Sequence, residues 1–398
     1  MKIAIVVGTF PTISETFILN QITSLIDLGY GVDIFAFSNS FGKKMHSDVT
    51  KYNLLNKINY FEKSQLRSER LIKLIKIIMM NFFLNFKEII KFLLFHISDN
   101  KYDTITNFFV LFCFLRKKYD VIHFHFGHNG QRLIFLKEFL PQTKFITTFH
   151  GCDIRLGLER GGGIYKKLFQ KSDCIIATSD FIKDKLTILG CPFNKIIRIY
   201  NGINLEKFNF RKFKKDNLVI TTVARLEEVK NISLALKVIK SLKDEGKYKF
   251  KYYLIGDGSK REEVEQEILE LNIKDVVVLF GTLTQEEVIN KLKEADIFFL
   301  PSKAEGLPTV LLEAQAMKIP VVATNVGGVC EAIKDRVTGY LINENNIQQA
   351  KSRIIYLIEN ESLRKKMGEA GKRFIENNFN IGELTQKLGK VYNTDISN

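Results

Sequence analysis

The chain reads as an α/β protein built from two doubly wound parallel sheets that face a central cleft. Three observations predict this: a length of 398 residues, short apolar runs alternating with longer helical patterns from end to end, and a break near 201–216 after which the pattern starts afresh. That length exceeds one ordinary core and suits two domains. Most of the apolar runs are continuous rather than alternating, as expected of strands buried on both faces of a parallel sheet.

Strands are predicted at 2–8, 32–37, 121–126, 144–149 and 173–177, and again at 218–224, 251–256, 276–280, 296–300 and 319–323. Helical patterns lie between them, for example at 231–243, 259–271 and 285–294. Repeated βα units of this kind imply doubly wound sheets. Asn201-Gly-Ile-Asn204 is turn chemistry, and Arg211 to Asp216 is a charged, apolar-poor run. Domains are therefore expected at 1–203 and 204–398, with the last helices, from about 361, able to pack back on the first.

Lys and Arg outnumber Asp and Glu by 59 to 44, a net charge of +15 that favours anionic partners. The basic residues do not interleave with a nucleic-acid module, so nucleic acid is not an expected partner. Five scattered cysteines without C-x-x-C spacing read as reduced thiols of a cytoplasmic protein. Met1 to Gly8 reads as a strand rather than a signal peptide, because Pro11 and Glu15 follow too soon. No stretch reaches the roughly 18 uninterrupted apolar residues of a membrane span.

In open parallel sheets ligands bind beyond the carboxyl ends of the strands. Several candidate residues fall there. Glu305-Gly-Leu-Pro-Thr-Val-Leu-Leu-Glu313 follows the strand ending at Leu300. Pro308 suits the first turn of a helix, so Gly306 and Leu307 offer backbone amides near a helix N-terminus, which favours an anion. Glu305 and Glu313 suit hydrogen bonds from sugar hydroxyls. Either alone would read as a solvated loop acid or a surface helix acid. Arg225 and Lys230 follow the strand Val219–Ala224 and suit a pyrophosphate clamp, although an exposed basic pair is the plainer account. Gly256-Asp-Gly258 is another strand-to-helix turn, and Gly281-Thr-Leu283 can present backbone groups to a nucleobase.

Together, Arg225 with Lys230, Gly256-Asp-Gly258, the Glu305 to Glu313 motif and Gly327-Gly-Val-Cys-Glu331 resemble the donor-binding half of GT-B glycosyltransferases of family GT4. The likeness covers nearly all of 217–345. It implies two Rossmann-like domains and a retaining transfer from a nucleotide sugar, UDP-linked by expectation. Arg225 and Lys230 would hold the donor diphosphate, Glu313 the ribose hydroxyls and Glu305 the donor sugar. Gly256, Leu283, Gly306, Leu307 and Thr309 complete the donor-binding set. Cys330 departs from the family, which more often has an apolar residue or proline there, and Asn231 stands where glycine is frequent.

In the first half, Thr12-Ile-Ser-Glu15 has the spacing of a capping box, which gives Glu15 a structural role. The longer Phe10-Pro-Thr-Ile-Ser-Glu-Thr-Phe-Ile18 resembles the opening motif of bacterial exopolysaccharide and colanic-acid-type transferases. It implies acceptor-side roles for Gly8 and Glu15. The family often has paired glycines here, and this chain has only Gly8. His123, His125 and His128 cluster at one strand end; a metal site there is the lesser reading beside strand residues lining the cleft. His150-Gly-Cys-Asp153 ends another strand. The resemblance places His150 against the donor sugar as a catalytic residue with Glu305. His125 and Asp153 are expected on the acceptor side, Asp153 binding sugar hydroxyls or orienting His150. A loop-capping Asp153 beside a satisfied His150 is the alternative.

No Asp-x-Asp pair occurs in the sequence, so Arg225, Lys230 and a helix N-terminus are expected to neutralise the diphosphate without a metal. No cofactor is expected, since the nucleotide sugar is the donor substrate. Competing readings are a sugar-nucleotide epimerase on a similar fold, with His150 and Glu305 as its acid and base, and a non-catalytic sugar-nucleotide-binding protein at a membrane. Residues 71–95 place Lys73, Lys76, Lys87 and Lys91 on one stripe at about 100° per residue. With the apolar run Phe108–Leu115 and Arg116-Lys-Lys118, this reads either as core helices or as a basic amphipathic surface for an anionic inner-leaflet membrane. The second reading would put a lipid-linked or oligosaccharide acceptor beside the first domain.

Overall fold

A computed structural model describes residues 1–40, 44–61, 91–92, 104–208 and 217–394. Two all-parallel sheets organise the chain. The first contains β1 (Lys2–Thr9), β2 (Gly31–Ser38), β3 (Ile58–Tyr60), β4 (Val121–His125), β5 (Lys144–Phe149), β6 (Cys174–Ala177) and β7 (Ile196–Arg198), in the order β3-β2-β1-β4-β5-β6-β7. The second contains β8 (Leu218–Val223), β9 (Phe250–Ile255), β10 (Val277–Gly281), β11 (Ile297–Leu300), β12 (Val321–Thr324) and β13 (Gly339–Ile342), in the order β10-β9-β8-β11-β12-β13. Each sheet is wound outward in both directions from a central pair, β1 with β4 and β8 with β11. Those switch points are where crevices open at the strand carboxyl ends.

Every residue of β4, β5, β6, β11 and β12 is buried. Helices cover both faces, which is why β11 is a continuous apolar run and the other four are mostly apolar, with His123, His125, Lys144, Thr147, Thr148 and Thr324 buried among them. On one face of the first sheet the core includes Phe35, Phe124, Phe145 and Phe149. The helix Thr104–Leu115 adds Phe108, Leu111, Phe112 and Phe114 to that core, each almost wholly buried. Lys117 just beyond it pairs with Asp33 at 3.1 Å. The run Phe108–Leu115 is therefore core helix, the first of the two readings its sequence allows. Of the basic stripe, Lys73, Lys76 and Lys87 lie outside the described residues. Lys91 donates to the Glu138 carbonyl and lies 5.2 Å from the centre of the Phe139 ring.

The chain crosses between the sheets twice. Ile203 leaves the first domain and pairs with Asn380, its N–H donating to Phe379 O at 2.9 Å and its carbonyl accepting from Ile381 N at 3.1 Å. A Cβ on Gly202 would stand 2.7 Å from Ile381 Cα, so the crossings pack backbone on backbone. The last helix, Ile381–Asn393, then buries Leu384, Leu388 and Tyr392 among Ile3, Ile5, Val7 and Ile18 of the first domain.

No helix among the described residues is long and apolar enough to cross a membrane. All five cysteines are free.

Candidate active site

The carboxyl ends of the two sheets meet. A Cβ on Gly306, in the loop after β11, would stand 2.2 Å from the His150 carbonyl oxygen after β5. Ser179 Oγ donates to Gly306 O at 3.1 Å, and Glu331 accepts from Asp180 N and Phe181 N at 2.8 and 2.9 Å. The loop after β12 packs equally closely. Gly327, at φ +55°, would place a Cβ 1.9 Å from Glu305 O, and Gly328 would place one 1.9 Å from Gly306 O. Only glycine leaves room for these approaches. The Glu305–Gly306 peptide is thus held between His150 of one domain and the paired glycines of its own.

Within that loop, Lys230 Nζ lies 2.6 Å from Glu305 Oε1, and Ser302 Oγ donates to the same oxygen at 2.6 Å. Both charged side chains are largely buried, at 17% and 9% exposure. Arg225 is exposed just past β8 and has no ion-pair partner among the described residues. The helix Thr309–Ala316 begins one residue later than expected: Pro308 is its N-cap, in extended conformation, and no side chain caps the first turn. An uncapped N-terminus beside a cation is a ready anion site. Leu307 is buried and Thr309 half-buried on this turn.

Glu313 projects from that helix and is 5% exposed. Gln285 Nε2 donates to its Oε1 at 3.3 Å. Burial pushes its carboxyl up to about 7, against the opposing pull of Gln285 and Lys207. It is not the surface acid that its helical position alone suggests. Gly256, at φ +139°, would drive a Cβ to 1.8 Å from Ala224 O, which keeps the turn after β9 against the residue preceding Arg225. Leu283 follows Gly281 at the end of β10 and is half-buried.

On the facing side, the helix after β1 starts at Thr16, so Glu15 is its N-cap and makes no side-chain capping bond. The capping box expected for Thr12 and Glu15 is therefore absent. The Glu15 carboxyl bonds Thr12 instead, and burial lifts it to about 7, with Thr12 and then Arg225 pulling down. Gly8 ends β1, and a Cβ there would come no closer than 3.9 Å to Asn129.

Three histidines form a line, His123 and His125 fully buried and His150 half-buried at its end. His123 and His125 stack with ring centroids 4.8 Å apart, and His125 and His150 with centroids 5.3 Å apart. His123 bonds Tyr392 OH and Thr148 Oγ1, both at 2.6 Å. His125 Nδ1 and His150 Nε2 share a hydrogen bond of 3.0 Å. Burial, with its neighbours' charge second, holds His150 well below the usual imidazole range, and burial takes His125 down to about 3. The line is neutral at physiological pH, so each ring carries one N–H. Among the described residues, no group of three or more His, Cys, Asp or Glu is placed to hold a metal ion. His128 stacks on Phe126 instead.

Two acceptor-side expectations are corrected here. His125 is fully buried and bonds the His150 ring, so its own ring does not face the cleft. Asp153 is also fully buried. Its carboxylate accepts from Gly127 N at 2.9 Å, Gly151 N at 2.8 Å, Ile154 N at 3.0 Å and His150 N at 3.1 Å. It fastens the loop, with no face left for a sugar hydroxyl. His150 differs in part: Nε2 meets His125, and Nδ1 lies 3.5 Å from Asn201 Nδ2, so its ring is engaged inside the first domain. Its carbonyl is the part that reaches Gly306.

Residues the sequence reading passed over complete the cleft. Phe17 lies 4.6 Å, centroid to centroid, from the His150 ring. Gln285 and Lys207 lie beside Glu313, and His46 accepts from the Gln285 backbone N–H. The signal that could have found Gln285 is Thr284-x-x-Glu287, a capping box formed on both sides.

Comparison with known proteins agrees with this geometry. Residues 14–207 match the family described as Glycosyltransferase Family 4, and residues 204–374 match Glycosyl transferases group 1. The amylovoran biosynthesis glycosyltransferase AmsK of Erwinia amylovora is 32% identical, over 98% of this chain and 99% of its own. The putative colanic acid biosynthesis glycosyltransferase WcaL of Escherichia coli is 30% identical, over 98% and 99%. Among solved structures, Anabaena HepE in complex with UDP and glucose superposes with a TM-score of 0.75 at 15% identity, over 99% of this chain and 100% of that one. A mutant form of Staphylococcus aureus TarM, in complex with UDP among other ligands, also gives 0.75, at 16% identity and the same coverage. Two Rossmann-like sheets meeting at their carboxyl ends, full-length similarity at 32% and both family matches establish that the chain is a GT-B glycosyltransferase of family 4, group 1.

Proposed function

We propose that the enzyme transfers a sugar from a UDP-sugar to a growing, lipid-linked saccharide in cell-surface polysaccharide synthesis, with retention of configuration and without a metal. The second domain, 204–398, binds the donor, and the first, 1–203, binds the acceptor. Arg225, Lys230 and the amides before Thr309 take the diphosphate. Glu313 takes the ribose hydroxyls, and Glu305 the donor sugar, with His150 on the other side of that sugar. Leu283 and Gly256 border the nucleobase and the phosphates. Gly8 and Glu15 stand toward the acceptor. The acceptor hydroxyl attacks the anomeric carbon on the face from which the diphosphate departs, and a departing phosphate oxygen takes its proton.

The observation that carries this reading is the Lys230–Glu305 pair, at 2.6 Å, beside the uncapped helix Thr309–Ala316 and against His150. A cation and an uncapped helix N-terminus converge there and can stabilise a departing diphosphate, while the acid beside them can accept from sugar hydroxyls. The relatives named for amylovoran and colanic acid synthesis support the pathway, and the neighbour solved with UDP and glucose supports the donor. Purified enzyme is expected to release UDP from a UDP-hexose in the presence of lipid-linked acceptor and excess chelator, with the product's anomeric configuration read by NMR. A strict requirement for a divalent cation, or an inverted product, overturns the mechanism. Interconversion of UDP-sugars without an acceptor would identify an epimerase instead.

Membrane association rests on the sequence of 71–95 alone. The enzyme is expected to sediment with anionic phospholipid vesicles at low salt and to come off as salt rises. Failure to bind them at low ionic strength ends that part of the proposal.

A further inference from the structure

Glu313 depends on one side chain that the donor motif does not contain. Gln285 opens the helix Gln285–Leu292, is 7% exposed, and is the hydrogen-bond partner of the buried Glu313 carboxylate. Its amide is oriented by charge on both ends. Nε2 donates to Glu313 at 3.3 Å, while Oε1 accepts from Lys207 Nζ at 3.2 Å. The flipped amide would set its oxygen against a carboxylate and its NH2 against an ammonium, so the assignment is electrostatically fixed. Lys207 is itself held by Asp48 of the first domain. The backbone of Gln285 is held as well: its N–H donates to His46 Nδ1 at 3.2 Å. That makes His46 Nε2 the protonated nitrogen, which donates to Ile13 O at 3.0 Å.

We propose that Gln285 is a positioning residue for donor binding: it keeps Glu313 aimed and ionised, and it takes its own place from Lys207, Asp48 and His46. This rests on Glu313 holding the donor ribose. A first-domain loop thereby reaches the donor's ribose contact, so docking of the two domains and donor affinity are linked through one amide. The charged groups facing Glu313 are few. Lys207 is the nearest cation, with Asp48, His46 and Glu286 beyond Gln285. The helix Glu361–Asn378 packs on the helix that carries Glu313, and its Glu369 is paired with Lys318 at 2.6 Å. Removing Gln285 leaves a buried carboxylate with only the Lys207 field in its favour, so protonation of Glu313 persists to higher pH. A protonated Glu313 loses one of the two oxygens with which it would accept from ribose.

The test is UDP affinity by calorimetry from pH 6 to 9, with 2′-deoxy-UDP as the second probe, on wild type, Gln285→Met, Glu313→Ala and the neutral double variant Lys207→Gln/Asp48→Asn. Gln285→Met is expected to weaken UDP about three- to tenfold at pH 7.5. It also moves the acid loss of affinity to higher pH and costs less against 2′-deoxy-UDP. The double variant moves the pH profile in the same direction, which keeps the test open should Gln285→Met fold poorly. If Glu313→Ala binds both nucleotides as the wild type does, the ribose reading fails and this proposal with it. If Glu313→Ala is weak but Gln285→Met keeps the wild-type affinity and pH profile, Gln285 alone loses its role. Equal weakening of both nucleotides at every pH by Gln285→Met makes its role merely structural and overturns the proposal.

Discussion

Lys230 and Glu305 neutralise each other at 2.6 Å in a site where only 17% and 9% of their side chains reach solvent. Each is the other's counter-ion until a diphosphate arrives to compete for the ammonium. Lys230→Ala is therefore expected to do two separable things. It weakens UDP binding by about 1.5–3 kcal/mol, roughly 10- to 150-fold, for a lost charge-assisted contact. It also lowers stability, because Glu305 is left buried with Ser302 as its partner. The double variant Lys230→Ala/Glu305→Gln should regain the stability and not the binding, measured by thermal denaturation and calorimetry. Wild-type UDP affinity in Lys230→Ala would remove the residue from the phosphate site.

Glu313 sets a pH dependence of opposite sign to that of a salt-bridged acid. Burial raises its carboxyl from the ordinary 4.5 to about 7, so the folded state binds the proton more tightly than the unfolded chain. Its contribution to stability is full below pH 4.5 and is lost as pH rises to about 7. Glu313→Gln removes that loss. Above pH 7 the variant is expected to be more stable than wild type, by on the order of 3 kcal/mol, and to bind UDP less well. Denaturant titrations at pH 5 and pH 8 check the sign: the gain appears at pH 8 and shrinks at pH 5. A gain that is equal at both would mean the carboxyl is not titrating in this window.

The contact between Gly306 and His150 makes a steric prediction. A Cβ at 306 would lie 2.2 Å from the His150 oxygen, far inside any real Cβ contact. Gly306→Ala must push the two domains' loops apart, at about 1–3 kcal/mol, and take the donor sugar out of register. Turnover is expected to fall roughly tenfold or more, while the melting temperature drops by only a few degrees. Gly163→Ala, where a Cβ meets nothing within 4 Å, is the control and should behave as wild type. Full activity in Gly306→Ala would mean the loops are not this close in the working enzyme.

The fold was legible where burial is two-sided. Apolar runs marked β11 and β12, and apolar-rich runs with interspersed His and Thr marked β4 and β5, because helices cover both of their faces. The edge strands β3, β7 and β13 went unread: β3 and β7 have three residues each, with only Ile196 among the six buried, and β13, though mostly buried, is four residues long and opens on glycine. Within the site, Lys230 and Glu305 were readable as candidates through motif order, but their pairing across 75 positions was not. Gln285 was missed because amide relays carry no spacing signal, although the capping box beside it marked where its helix begins. Asp153 was left open between a sugar contact, orienting His150 and capping its loop, for a related reason. Its partners are backbone N–H groups, and these are invisible in a sequence.

Asp153 supplies the last test, because its place separates a structural anchor from a substrate contact. One buried carboxylate satisfies the N–H groups of Gly127, His150, Gly151 and Ile154, drawn from the turns after β4 and β5. Both strands end at the cleft, and His150 is itself one of the four donors. Asp153→Ala strands several buried donors at once, each of which costs about 1–3 kcal/mol when left unpaired. A loss of roughly 3 kcal/mol or more in folding stability is expected, allowing for partial relaxation. Asp153→Asn should lose less, since its one carbonyl oxygen still accepts while its NH2 faces N–H groups. UDP affinity of the folded fraction should be unchanged, because the donor contacts stand on the other domain. Chemical denaturation and calorimetry on the same preparations check both halves. If Asp153→Ala keeps wild-type stability and loses only turnover, the carboxylate works on the substrate and the anchoring account is wrong.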